Sequence, residues 1–189
     1  SIDNKNIFTN TLEEFHEKKE KFDFIFSINV LEHTLDIRAH LEKCIEMLKD
    51  DNSLLYIRCP NYSFPFEGHF YKFFIPFAPN ITFKYLRKKE LINKLGEEKY
   101  LNILNQLNFN CNYFNIKSLN LPIKFDNPLK EIFLRIEKDS DFKKRLFSNK
   151  IIKYTHFFLD KLRIKNLICK IYPVSFTPYL VMSIKKKVY

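Results

Sequence analysis

Phe22-Asp23-Phe24-Ile25-Phe26-Ser27-Ile28-Asn29-Val30-Leu31-Glu32-His33 is the stretch on which the reading of this chain turns. An acidic residue leads into a nearly continuous apolar run, as expected of a strand buried on both faces of a parallel sheet. The run ends in polar Ser27 and Asn29, and a turn follows that carries Glu32-His33. Asp36 is then placed to cap a helix over residues 37–49, with Ile37, Leu41, Cys44, Ile45 and Leu48 on one face. Asp50-Asp51-Asn52 reads as a turn, and residues 53–59 as a second buried strand. Strand, helix and strand within about 40 residues predict a right-handed crossover unit, and so an α/β fold.

Upstream, residues 6–9 make a short strand candidate, and Thr11 with Glu14 has the spacing of a capping box at a helix start. Downstream, residues 60–79 are dense in proline and aromatic side chains. They are too proline-rich for an element interior and too aromatic for a solvated linker, which predicts an ordered functional loop. Residues 88–106 read as one helix and 109–117 as a strand by alternation. Helices are expected over 128–138 and 150–171, and a closing strand over 177–185.

The 189 residues, 46% hydrophobic, suffice for one domain with a real core. The formal net charge of +10 accompanies a general excess of Lys, Asn, Ile and Phe, so it carries little functional weight by itself. Cys44, Cys59, Cys111 and Cys169 are scattered, with no Cys-x-x-Cys pair. They read as core thiols in a reducing, cytoplasmic setting, neither a zinc cluster nor a disulfide frame. No apolar run approaches the ~20 residues of a membrane span.

The segment 22–33 resembles the fourth strand of class I S-adenosylmethionine-dependent methyltransferases, in the form FDxVxxxxVLEH. Residues 6–61 follow that family's order of third strand, fourth strand, helix and fifth strand. Arg58 to Tyr62 and Pro65 to Phe70 resemble a bacterial subgroup carrying PNYxxPYExHF, with Phe66 in place of the Tyr. Thr177-Pro178 matches a dipeptide before the subgroup's last strand. The resemblance implies a Rossmann-like class I methyltransferase fold, the C-terminal part of its sheet, and a helical insertion before the last strand. It divides the chain into a core unit (1–61), an aromatic active-site loop (62–87), a helix and strand (88–117), a helical insertion or lid (118–176) and a last strand with a basic tail (177–189).

By the same resemblance the cofactor is S-adenosylmethionine. Asn10, Thr11 and Leu12 would lie along its adenine, and Ser27, Ile28, Asn29 and Val30 would line its methionine side. Removing a proton from the acceptor suits a histidine, whose ordinary pKa is about 6.5. His33 and His69 are both candidates for that base, with Glu32 or Glu67 to orient either one. Asn61, Tyr62, Glu67 and His69 are the expected substrate contacts. Asn29-x-x-Glu32-His33 distantly resembles the metal site of small-RNA 2′-O-methyltransferases, but Asn replaces the first acid and no metal is expected. The expected acceptor is a small molecule, glycan or lipid precursor. Nucleic acid is not expected, and peripheral membrane contact is left open by the basic amphipathic pattern of 150–171.

The glycines pull the other way. The only two are Gly68 and Gly96, so the chain contains no glycine-rich cofactor loop. The expectation is an N-terminally incomplete methyltransferase. The rival is a non-catalytic module of the same fold that binds a partner or an anionic surface.

Overall fold

The computed structural model describes residues 10–186, apart from 71 and 149. The strand expected at 6–9 lies outside the described residues. The chain opens with helix α1 (Leu12–Glu17), whose N-cap Thr11 and Glu14 form the reciprocal capping box. Strand β1 (Phe24–Ile28), helix α2 (Ile37–Glu46) and strand β2 (Leu54–Pro60) follow, with the Asp36 side chain accepting from the Ala39 amide. β1 and β2 pair in parallel, Phe24 opposite Leu54 and Ile28 opposite Arg58. The crossover unit is therefore present, with α2 ending three residues short of the expected Lys49.

Residues 60–79 fold as a short ribbon, β3 (Phe66–Glu67) against β4 (Lys72–Phe73). Helix α3 (Pro79–Ile81) runs into a π-helical turn at Thr82–Leu86. Next come α4 (Lys88–Leu95) and α5 (Glu97–Gln106). The expected single helix over 88–106 is broken because Gly96 takes φ 84° and ψ 151°, a conformation essentially reserved for glycine.

Residues 109–117 are not a strand. Asn112 accepts from the Asn115 amide and starts helix α6 (Tyr113–Lys117). The apparent alternation arises because Phe109, Cys111, Tyr113 and Ile116 all reach the core from a turn and a helix. The strand missing from that place is β5 (Ile123–Asp126). Four helices then precede the last strand: α7 (Leu129–Lys138), α8 (Ser140–Phe147), α9 (Lys150–Lys161) and α10 (Lys165–Ile171). The long helix expected over 150–171 is thus two, and α8 was not foreseen. Strand β6 (Tyr179–Lys185) closes the sheet in the order β1-β2-β6-β5, antiparallel to both neighbours.

Ile25, Leu55, Ile57, Cys59, Leu180, Met182 and Ile184 share one sheet face and join the core with Leu41, Cys44, Leu91 and Tyr100. Of the cysteines, three are buried there and Cys169 is half-buried. The opposite face is covered unevenly. Arg58 points to it, ion-paired with Glu131 of α7 at 2.7 Å. On β1, however, that face is bare among the described residues: Phe24, Phe26 and Ile28 are exposed, and Phe26 is 66% accessible. Among the described residues the expected two-sided burial of β1 is met on one side only, the face to which Ile25 and Ser27 point, where Ile25 packs against the core that holds Leu41 and Cys44 of the crossover helix.

Candidate functional site

The carboxyl ends of β1 and β2 lie side by side, because the parallel register places Ile28 beside Arg58 and the Asn29 amide donates to the Arg58 carbonyl at 2.8 Å. In open α/β sheets such ends form the usual ligand crevice. Asn29 turns the chain here with a left-handed φ of 56°, which Asn tolerates better than most residues. The next turn, Leu31–His33, swings Glu32 beneath the sheet end, where it is completely buried. Ser27 Oγ is also buried, with no hydrogen-bond partner among the described residues.

His33 and His69 meet above this point, their ring centres 5.7 Å apart at 75°. His33 Nδ1 lies 3.0 Å from the Gln106 carbonyl oxygen at the end of α5. A carbonyl only accepts, so Nδ1 carries the proton and Nε2 is left facing Glu32 Oε1 at 3.9 Å. His69 Nδ1 donates to Glu67 Oε1 at 2.7 Å, and the other Glu67 oxygen accepts from the Phe70 amide at 2.6 Å. Both carboxylates are fully buried, whereas both imidazoles remain partly open to solvent.

The two acids differ in their partners. Glu67 is held twice; neither oxygen of Glu32 has a hydrogen-bond partner among the described residues. Burial raises the Glu32 carboxyl above its ordinary pKa, with its own backbone amide and the two histidines pulling the other way. His69 is raised as well, chiefly by the hydrogen bond to Glu67, which outweighs its partial burial. Beside them the Tyr62 phenol is buried with no hydrogen-bond partner among the described residues, and burial followed by the nearby Glu67 pushes its pKa far up. Tyr62 is thereby a neutral hydroxyl packed on Phe109, ring centres 4.9 Å apart.

Other sequence-derived site residues have structural work. Asn61 is buried, and its amide nitrogen donates to the carbonyls of Ser175 and Thr177 while its oxygen accepts from the Ser63 and Tyr113 amides. It joins the loop after β2 to α6 and to the approach to β6, and its polar atoms face chain instead of crevice. Phe70, Phe74 and Phe83 likewise sit in the core, so much of the aromatic loop is packing. Thr11 and Asn10 both bond to Glu14. No hydrogen bond or ion pair among the described residues joins Asn10, Thr11 or Leu12 to Ser27, Ile28, Asn29 or Val30. Sequence reasoning had no access to the Gln106 carbonyl that sets the His33 tautomer, since any residue type supplies it. Among the described residues no group of three His, Cys, Asp or Glu side chains has the geometry to hold a metal ion.

An uncharacterized protein of Mycobacterium tuberculosis, in strains CDC 1551 / Oshkosh and ATCC 25618 / H37Rv, is 43% identical to the chain over 58 residues. Those residues are 31% of this chain and span only 19% of the relative's own length. The family model described as a methyltransferase domain matches residues 2–119, which takes in β1, the crossover, Glu32-His33, the Glu67-His69 loop and α6. The chain belongs to the methyltransferase-domain family.

Proposed function

We propose that the protein transfers a methyl group from S-adenosylmethionine to an oxygen or nitrogen of a small-molecule, glycan or lipid-precursor acceptor, with His69 as the base. The observation that carries this reading is the Glu67–His69 pair: a buried carboxylate fixes Nδ1 at 2.7 Å and leaves Nε2 without a hydrogen bond among the described residues, on a half-open ring at the strand ends. When bound, S-adenosylmethionine supplies an electrophilic methyl on a sulfonium. Ser27, Ile28, Asn29 and Val30 would hold one side of it, and the unpartnered Ser27 hydroxyl and the left-handed Asn29 turn fit that use. The residues here form one wall of such a pocket, since the sequence offers no glycine-rich loop.

His69 Nε2 takes the acceptor's proton as the methyl arrives, and Glu67 stabilises the imidazolium formed while keeping the ring in one orientation. His33, locked by Gln106, lies across from it and confines the acceptor. Tyr62 and Phe109 close the floor against water.

The full-length protein tests this by calorimetry with S-adenosylhomocysteine and an acceptor screen with labelled cofactor. His69→Asn should keep cofactor affinity and lower kcat by about 10²–10⁴-fold. An unchanged kcat in that variant would remove His69 from the role of base. If the full-length protein binds no S-adenosylhomocysteine, the non-catalytic module favoured by the missing glycine loop replaces this reading.

A further inference from the structure

Residues 143–171 contain nine lysines and arginines and one acid, Asp160, so this stretch alone holds eight of the chain's ten net positive charges. A compositional excess of lysine spread along the chain would not concentrate in this way. The structure adds a second observation. The inner side of α9 packs through His156, whose ring lies 5.1 Å from Phe147 of α8 and 6.1 Å from Phe133 of α7. The other side is not covered by anything among the described residues. Tyr154, Phe157 and Phe158 are 67%, 65% and 58% exposed, and Leu162 just beyond the helix is 48% exposed. Their spacing of three, four and eight residues puts them on one helical face.

Lys150, Lys153 and Lys161 are exposed on the same helix and form no ion pair among the described residues; the pairs found here join Lys165 to Asp160 and Glu137. In helical projection Lys150 and Lys161 fall within the aromatic face, and Lys153 flanks it. Helix α10 adds exposed Leu167 and Ile171, one turn apart, beside exposed Lys170.

A protein partner's apolar surface would have to bury the ammonium groups along with the rings. An anionic lipid surface would not. Aromatic rings enter at headgroup depth while lysine stems lie along the apolar layer and keep their charge among the lipid phosphates. No helix among the described residues is long and apolar enough to cross a membrane, so this surface would lie flat on one. Its position is also informative. Asp126 of β5 pairs with Val181, and Tyr179 of β6 pairs with Pro60, so the helical insertion leaves and rejoins the sheet at the edge that carries Asn29 and Asn61.

We propose that the outer face of α9, extended by α10, docks the protein on anionic phospholipid. The proposal does not depend on methyl transfer, because binding is read without cofactor. Full-length protein should float with vesicles of phosphatidylcholine mixed with phosphatidylglycerol, not with phosphatidylcholine alone, and should dissociate as salt rises. Phe157→Ser with Phe158→Ser, and separately Lys150, Lys153 and Lys161 each →Gln, should each weaken partitioning roughly tenfold or more, with circular dichroism unchanged. The chain has no tryptophan, so Tyr154→Trp adds a reporter at this face whose emission should shift to the blue on the mixed vesicles. Absence of vesicle binding, or binding that survives both variants, overturns the proposal. So does self-association in solution abolished by the phenylalanine variant, which would assign the face to a second copy.

Discussion

Glu32 is the residue at which stability and chemistry pull apart. A fully buried carboxylate whose oxygens have no hydrogen-bond partner among the described residues destabilises the fold once it is charged. Because burial raises its folded pKa, the stability it contributes is complete below the unfolded value of about 4.5 and is lost as pH rises through the folded value. Glu32→Gln should therefore unfold at higher denaturant near pH 7, by about 1–3 kcal/mol, with the advantage vanishing below about pH 4. A stability unchanged at pH 7 would show that Glu32 is partnered in solution.

His69 runs with the same sign for a different reason. Its folded pKa is raised by Glu67, so the pair's stabilisation is full below about pH 6.5 and fades as pH climbs through the higher folded value. The neutral ring is the base, so kcat/KM should climb over that same window, and a pH–rate profile with an apparent pKa above about 6.5 is the expected result. A profile flat from pH 6 to 9 would exclude this titration from the rate. The candidacy of Glu67 and His69 was legible in the sequence, where the two lie two positions apart. That Glu32, distant in sequence, shares their site was readable only from the family motif.

At the scale of elements, local chemistry was a good guide where a side chain caps its own helix. Thr11 with Glu14 and Asp36 with the Ala39 amide do what their spacing promised. Alternation was the poor guide. In residues 109–117 and just before them, Asn108 and Asn112 accept from the nearby Asn110 and Asn115 amides, and that local bonding outcompetes a ladder. The strand position passed to Ile123–Asp126, whose four residues are too few to carry a clear pattern.

Gly96 divides α4 from α5 in the same local manner. A Cβ there would meet nothing within 4 Å, so Gly96→Ala isolates backbone strain from packing. It should cost about 1–3 kcal/mol in urea unfolding. A neutral result would mean that the helices can merge into the continuous one that the pattern of 88–106 suggests.

Across the whole molecule, Asn61 joins segments that never approach each other in sequence: the end of β2, the start of α6 and the chain before β6. Asn61→Ala would leave four backbone groups without their side-chain partner and should cost about 3 kcal/mol or more by thermal or urea unfolding. An aspartate at this position keeps the acceptor but loses both donated bonds, so Asn61→Asp should recover only part of that loss. The helical insertion is tied down similarly, by Arg58–Glu131 and by Asn127 donating to the Cys169 and Tyr172 carbonyls.

What the sequence determined by itself was the crossover unit around residues 22–59, its capped helices, the family signature and the candidacy of Glu67 and His69, whose pairing with each other it left open beside Glu32 and His33. Each rests on spacing within one or two elements, where periodicity, capping and motif act directly. Only the tertiary structure decided that, among the described residues, β1 is covered on one face and Glu32 is buried without a hydrogen-bond partner, that Asn61 is a staple, and that the Gln106 carbonyl sets the His33 ring. Those outcomes depend on which distant segments come together, and a side chain's burial and partners belong to that assembly and not to its neighbours in the chain.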